Sequence, residues 1–201
     1  MLRSRQAERG VNLVELMVTL SVFAFLVAMA GPSFGTWLQN SRIRNTAESL
    51  LAGLQLAKAE AVARNARVRF QLTSTLDSSC VLTTSAANWV VNVDPDANTD
   101  EVAGKCDATP DEDDAPRILQ ARPASDGSGN SVVDATVPSV VFNGLGRLTT
   151  PAMAIDITNP AGGDCAADGG EMTCLRVLVT PGGQLRMCNP LFDAATDPQG
   201  C

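Results

Sequence analysis

The sequence predicts an α+β fold: a long N-terminal helix, apolar in its first part and amphipathic in its second, packed on an antiparallel β-sheet. Three observations carry this prediction. Apolar residues recur with helical character from Val11 to about Asn65. After Ala66 the pattern switches to period two. Clusters of Gly, Pro, Asn and Asp then separate short apolar runs, as turns separate strands.

The helix comes first. Arg3, Arg5 and Arg9 lie in a short leader that ends at Gly10. The run Val11 to Ala30 is apolar apart from a few small polar residues and one carboxylate, Glu15. Its 20 residues span about 30 Å of helix, the thickness of a bilayer core. Arginines on one flank keep that flank cytoplasmic, so the rest of the chain faces outward. A carboxylate in such a segment is costly and asks for a partner. Two other readings compete with this one. A secretory signal peptide has a shorter apolar stretch and a cleavage site at its far end, and Gly31-Pro32-Ser33 lies near that position. The helical pattern, however, continues through Pro32. A static anchor that keeps its leader is the other alternative. Pro32 removes a backbone hydrogen bond and is expected to kink the helix, with Gly31 easing the bend. Beyond it, Ile43, Ala47, Leu50, Leu54, Ala57 and Ala61 recur at steps of three and four and should face a core.

The strands follow. Arg67–Leu72 alternates, Trp89–Val93 reads as a second strand, and Arg117–Arg122 alternates again. Ser139–Phe142, Met153–Ile157, Leu175–Val179 and Gln184–Met187 complete the set, the last two forming a hairpin about Pro181-Gly182-Gly183. Asp94–Pro116 is acidic and Pro123–Val137 is rich in Ser, Gly, Asp and Asn, so both are expected to be exposed, mobile loops.

Composition narrows the function. The net charge is −7; without residues 1–10, which hold three Arg and Glu8, 12 basic and 21 acidic residues leave −9. That balance disfavours a general nucleic-acid surface. With no His and no Tyr, and no nucleophile elbow, phosphate loop or dinucleotide fingerprint, no enzymatic activity and no cofactor are expected. The six cysteines all lie outside the apolar segment, which points to disulfides in an oxidising compartment. Six allow 15 pairings; the local set Cys80–Cys106, Cys165–Cys174 and Cys188–Cys201 is the expected one. Zinc is excluded on spacing, because no CxxC pair occurs. Asp94, Asp96, Asn98 and Asp100 fall at every second position, like the start of a Ca²⁺ loop. The match then fails at Thr99 and Lys105, so no metal is expected and these four residues stand as a weak cation candidate.

The residues from Gly10-Val11-Asn12-Leu13 to Glu15-Leu16 resemble the prepilin peptidase motif of type IV pilins and type II secretion pseudopilins, whose usual form is Gly followed by Phe-Thr-Leu-Ile-Glu-Leu. Pro32 is similarly placed to the helix-kinking proline of pilins. Trp89–Asp94, Val141-Phe142-Asn143-Gly144 with Gly146, and Gly183–Pro190 resemble the GspH/FimT subgroup. The resemblance implies a pilin-like fold with a cleaved leader at 1–10, a transmembrane and filament-core helix at 11–38, and a periplasmic domain at 39–201. It implies a single-pass inner-membrane protein that later enters a pilus or pseudopilus. A prepilin peptidase would cut between Gly10 and Val11, and the new amino terminus would be methylated. Val11 and Asn12 depart from the usual Phe and Thr. Partners would be the peptidase, the inner membrane, and other pilins or pseudopilins through the N-terminal helix, where Glu15 would pair with a neighbour's amino terminus and Pro32 would shape the contact. The expected role is a structural minor subunit that assembles into or primes a type IV pilus, with a type II secretion pseudopilin as the alternative. A third reading is a DNA-binding pilin of natural transformation, because some FimT-like pilins bind DNA through a basic Gly-Arg-x-Arg motif. The corresponding stretch here is Gly183-Gln184-Leu185-Arg186, so Arg186 alone remains as a DNA contact.

Overall fold

A computed structural model describes residues 12–94, 102–111, 114–124 and 130–201, without the side chains of 29–33. One helix, α1 (Leu13–Arg64), is followed by eight strands: β1 (Val68–Thr73), β2 (Asn88–Val93), β3 (Ile118–Arg122), β4 (Val132–Ala135), β5 (Ser139–Phe142), β6 (Met153–Thr158), β7 (Leu175–Val179) and β8 (Leu185–Cys188). Two short 3₁₀ turns, Pro160–Gly162 and Ala166–Asp168, lie between β6 and β7.

Helix α1 has 52 residues, about 78 Å of length. The Asn12 side chain caps its start by accepting from the Val14 N–H at 3.4 Å. Asn65 ends it in the left-handed region (φ 47°, ψ 41°), a conformation Asn tolerates better than most residues. The helix runs unbroken through position 32, and the side chain of Pro32 lies outside the described residues.

The predicted stripe faces the core: Ile43, Ala47, Leu50, Leu54, Ala57 and Ala61 are all fully buried. The antiparallel strands they pack on divide into two four-stranded sheets, with orders β3-β2-β1-β5 and β4-β6-β7-β8. In the first, Phe70 and Trp89 press their rings against the helix at Gly53, with ring centroids 5.9 Å apart. A Cβ on Gly53 would sit 2.8 Å from Phe70 and 2.9 Å from Trp89, so only glycine lets the rings this close. The Trp89 indole N–H also donates to Ser49 Oγ at 3.1 Å. In the second sheet, Met153, Ile155 and Ile157 face inward opposite Val179, Val177 and Leu175.

Two loop expectations are corrected. Val132–Ala135, assigned to a loop by its polar neighbours, is strand β4, because it pairs antiparallel with the edge of β6 and buries Val133 and Ala135. Asp94–Pro116 is not uniformly exposed. Val102 and Cys106 are buried with Cys80, Val90 and Ile118 in a second small core on the outer face of the first sheet. That cover explains why all six residues of β1 are buried, although their alternation predicts one solvent face.

Candidate assembly interface

Before Trp37 the described part of the helix stands clear of the sheets. Among the described residues, Gln39 Oε1 accepts from Asn159 Nδ2 at 2.7 Å, and Asn40 Oδ1 accepts from the Thr173 N–H at 2.8 Å, tying the helix to the domain. Between Leu13 and Val27, eleven large apolar side chains are each more than half exposed. They point in every direction around the axis, the pattern of a helix that is surrounded rather than one lying on a surface. Burying the exposed part, about 60% of each side chain, is worth roughly 10–20 kcal/mol at 1.5–3 kcal/mol per fully buried side chain. That matches the whole stability of a typical domain, so water is not the natural environment of this segment.

The polar groups in the segment are handled locally. Thr19 Oγ1 donates to the Leu16 carbonyl at 3.0 Å and Ser21 Oγ to the Met17 carbonyl at 2.8 Å. Glu15 is the only charged residue from 13 to 38. It is exposed in the first turn of the helix, where the helix dipole favours a carboxylate by about 0.3–1 kcal/mol. Desolvating an unpaired carboxylate costs several kcal/mol, so the dipole alone does not compensate. Once the helix is covered, the carboxylate must therefore be paired with a cation or protonated. Gly10 and Val11, the predicted processing residues, lie outside the described residues.

Among the described residues no helix is long and apolar enough to cross a membrane. The span predicted from sequence runs from Val11 to Ala30; Val11 and the side chains of Met29 and Ala30 are outside those residues.

The other predicted sites are placed as follows. The structure joins Cys80 to Cys106, Cys165 to Cys174 and Cys188 to Cys201, at separations of 26, 9 and 13 residues. Asp94 is buried, and its carboxylate faces Arg69 at 2.6 Å and Arg67 at 2.9 Å. Two guanidiniums already neutralise this charge, so Asp94 is no opening ligand for a cation. Asp96, Asn98 and Asp100 lie outside the described residues, among which no group of three or more His, Cys, Asp or Glu can hold a metal. Arg186 Nη2 donates to the Gly200 carbonyl at 2.9 Å, beside the C-terminal disulfide. Arg176 pairs with Asp156 through two bonds of 2.6 and 3.0 Å. That carboxylate raises the Arg176 pKa above its ordinary value, chiefly through the hydrogen bond. Arg176 thus holds the second sheet together, and Arg186 ties β8 to the C-terminal tail.

Sequence reasoning missed the buried polar row beneath the second small core. Arg69, Gln71, Asn92 and Asp94 are all buried; Gln71 Nε2 donates to Asn92 Oδ1 at 2.9 Å, and Asn92 Nδ2 to the Pro116 carbonyl at 3.1 Å. It also missed how the glycine motifs meet. Gly144 lies against Asn65 at the end of α1, Gly183 lies against the Gly146 carbonyl, and Lys58 Nζ donates to the Gly183 carbonyl at 2.9 Å. The two turns lock the far end of the helix to both sheets.

A family model described as Type II transport protein GspH matches residues 46–185. Among solved structures, the chain is similar to the type IV minor pilin FimU of Pseudomonas aeruginosa strain PAO1 in two crystal forms. One is 19% identical with a TM-score of 0.46, covering 79% of this chain and 94% of FimU; the other is 17% identical with a TM-score of 0.46, covering 79% and 98%. The minor pseudopilin EpsH from the type 2 secretion system of Vibrio cholerae is 12% identical with a TM-score of 0.43, covering 74% of this chain and 98% of EpsH. No curated protein sequence matches the chain.

Proposed function

We propose that this chain, which belongs to the GspH family, is a minor structural subunit of a filament, a type IV pilus or a type II secretion pseudopilus. The carrying observation is the protruding start of α1: an apolar surface on all sides, with one carboxylate in its first turn. Such a helix has two chemically equivalent homes, a bilayer core and a bundle of like helices. A subunit stored in the inner membrane, with its domain in the periplasm, exchanges the first for the second on assembly. Little apolar surface is exposed on the way if extraction and packing are concerted.

Glu15 directs that exchange. In a low-dielectric bundle its carboxylate attracts an amino terminus on a neighbouring subunit, and a subunit docked out of register leaves both charges unpaired. Cleavage after Gly10 supplies such an amino terminus at Val11, and it removes the leader arginines that hold the helix in the membrane. Glu15→Ala is expected to leave cleavage intact and to lower incorporation. Normal incorporation of that variant contradicts the pairing role.

A clean deletion scored in one strain for pili, twitching and exoprotein secretion separates the two machines. Loss of pili with normal secretion assigns the chain to a type IV pilus. Loss of secretion with normal pili assigns it to a type II pseudopilus. Loss of neither contradicts the filament reading.

A further inference from the structure

Where the apolar segment meets the domain, a cleft of about 370 Å³ opens between α1 and the start of β7. It is lined by Trp37, Asn40, Ser41, Arg44, Thr173 and Leu175. Trp37 is 62% exposed and stacks on Phe34 with ring centroids 5.8 Å apart. Exposed aromatic pairs of this kind belong at the boundary between hydrocarbon and water, where one end of the ring system is wet and the other dry. Arg44 is exposed, and neither its side chain nor that of Ser41 makes a side-chain hydrogen bond or ion pair among the described residues. Asn40 uses its carbonyl oxygen on Thr173, which leaves its amide N–H groups as donors. The cleft therefore gathers a cation and neutral donors with no acidic side chain in its lining. In a chain of net charge −7 that local polarity is the reverse of the whole.

The position along the helix selects the anion. The exposed pair Phe34 and Trp37 marks the outer edge of the hydrocarbon, where amphipathic aromatic rings sit. Arg44 lies seven residues beyond Trp37, about 10.5 Å along the axis, and about 10 Å along the membrane normal at a typical tilt of about 20°. Helical side chains lean toward the N-terminus, so an extended arginine reaches back by about 6 Å. The guanidinium then lies about 4 Å outside the hydrocarbon, within a headgroup layer about 5–7 Å deep. That is the depth of lipid phosphate.

We propose that this cleft binds the phosphate of an anionic phospholipid headgroup in the outer leaflet while the subunit is stored, an inference that rests on the membrane-anchored reading above. Arg44 supplies the charge, Asn40 and Ser41 supply neutral donors, and Trp37 fixes the depth. The contact is lost on assembly, when lipid is replaced by neighbouring helices, so it holds the stored subunit upright without adding to the filament.

The test uses the full-length protein in detergent with equal amounts of phosphatidylglycerol and phosphatidylcholine, and native mass spectrometry to count retained lipid. Arg44→Gln is expected to lower the phosphatidylglycerol preference about fivefold. Arg176→Gln, which alters an arginine outside the cleft, is expected to leave it unchanged. An unchanged preference in Arg44→Gln overturns the proposal. So does displacement of the lipid by millimolar inorganic phosphate, which would make this a site for free phosphate. A second measurement separates this failure from failure of the anchor: quenching of tryptophan fluorescence by brominated acyl chains in phosphatidylcholine vesicles. Trp89 is buried in the domain core, so quenching reports on Trp37. Quenching without a lipid preference removes the headgroup site and keeps the anchor. No quenching removes the membrane reading and the headgroup site together.

Discussion

Gly53→Ala sets two principles against each other, and the structure decides between them. Gly53 lies in the interior of α1, where alanine is favoured over glycine by about 1 kcal/mol. Propensity alone therefore forecasts a more stable protein. The added methyl, however, would meet Phe70 Cε2 at 2.8 Å and two Trp89 ring atoms at 2.9 Å, against a carbon–carbon optimum of about 3.5–4.0 Å. Neither ring can retreat. Phe70 is fully buried in the core, and Trp89 is tied to Ser49 through its indole N–H. Overpacking a close-packed site costs about 1–3 kcal/mol, and two rigid rings place this one near the upper end. The net expectation is a loss of about 2 kcal/mol, or a melting temperature lower by about 4–8 °C for a domain of this size. Near-ultraviolet circular dichroism of the Trp89 band during a thermal melt reads it directly. Gly35→Ala is the control, since nothing lies within 4 Å of its added methyl; it should be neutral or slightly stabilising. A Gly53→Ala protein that melts at or above wild type would refute the packing argument.

Three further outcomes follow from the geometry. Asp94→Ala leaves the buried Arg69 and its neighbour Arg67 without their shared counter-charge and should cost about 3–5 kcal/mol, whereas Asp156→Ala, whose pair with Arg176 is partly exposed, should cost about 1 kcal/mol or less by chemical denaturation. Replacing Cys80 and Cys106 together by Ser should cost more than replacing Cys165 and Cys174, about 3.5 against about 2.6 kcal/mol from loops of 26 and 9 residues, and comparable losses would count against chain entropy as the cause. Asp77 accepts from the Ser79 hydroxyl and N–H and from the Thr75 hydroxyl, which holds its carboxyl below 3.8. Its stabilising contribution is thus present above the unfolded pKa and is lost as pH falls through the lower, folded one; an NMR titration midpoint at or above 3.8 would contradict this.

The helix was legible because period and burial agree: a stripe at steps of three and four has one stable use, and all six of its residues are buried. The long strands were legible for the same reason. Strand β4 was not, because four residues with Asp134 among them carry too little alternation, and only pairing with β6 defines the strand. The burial of the row Arg69, Gln71, Asn92 and Asp94 was not legible, since polar residues at alternate strand positions ordinarily face solvent. Its burial depends on a cover carried by the Cys80–Cys106 loop, a long-range contact that no local pattern encodes. At the assembly helix the sequence showed the apolar length and the lone Glu15. It did not show that the cleft beside Arg44 needs Thr173 and Leu175, which lie about 130 residues away and arrive only with the second sheet.

The central claim is that the apolar start of α1 leaves the membrane and becomes the core of a filament. Its most direct test is mass spectrometry of the tagged chain recovered from sheared filaments. The account predicts a chain present in that fraction whose first residue is a methylated Val11. A chain confined to the membrane fraction, with residues 1–10 intact, would contradict it.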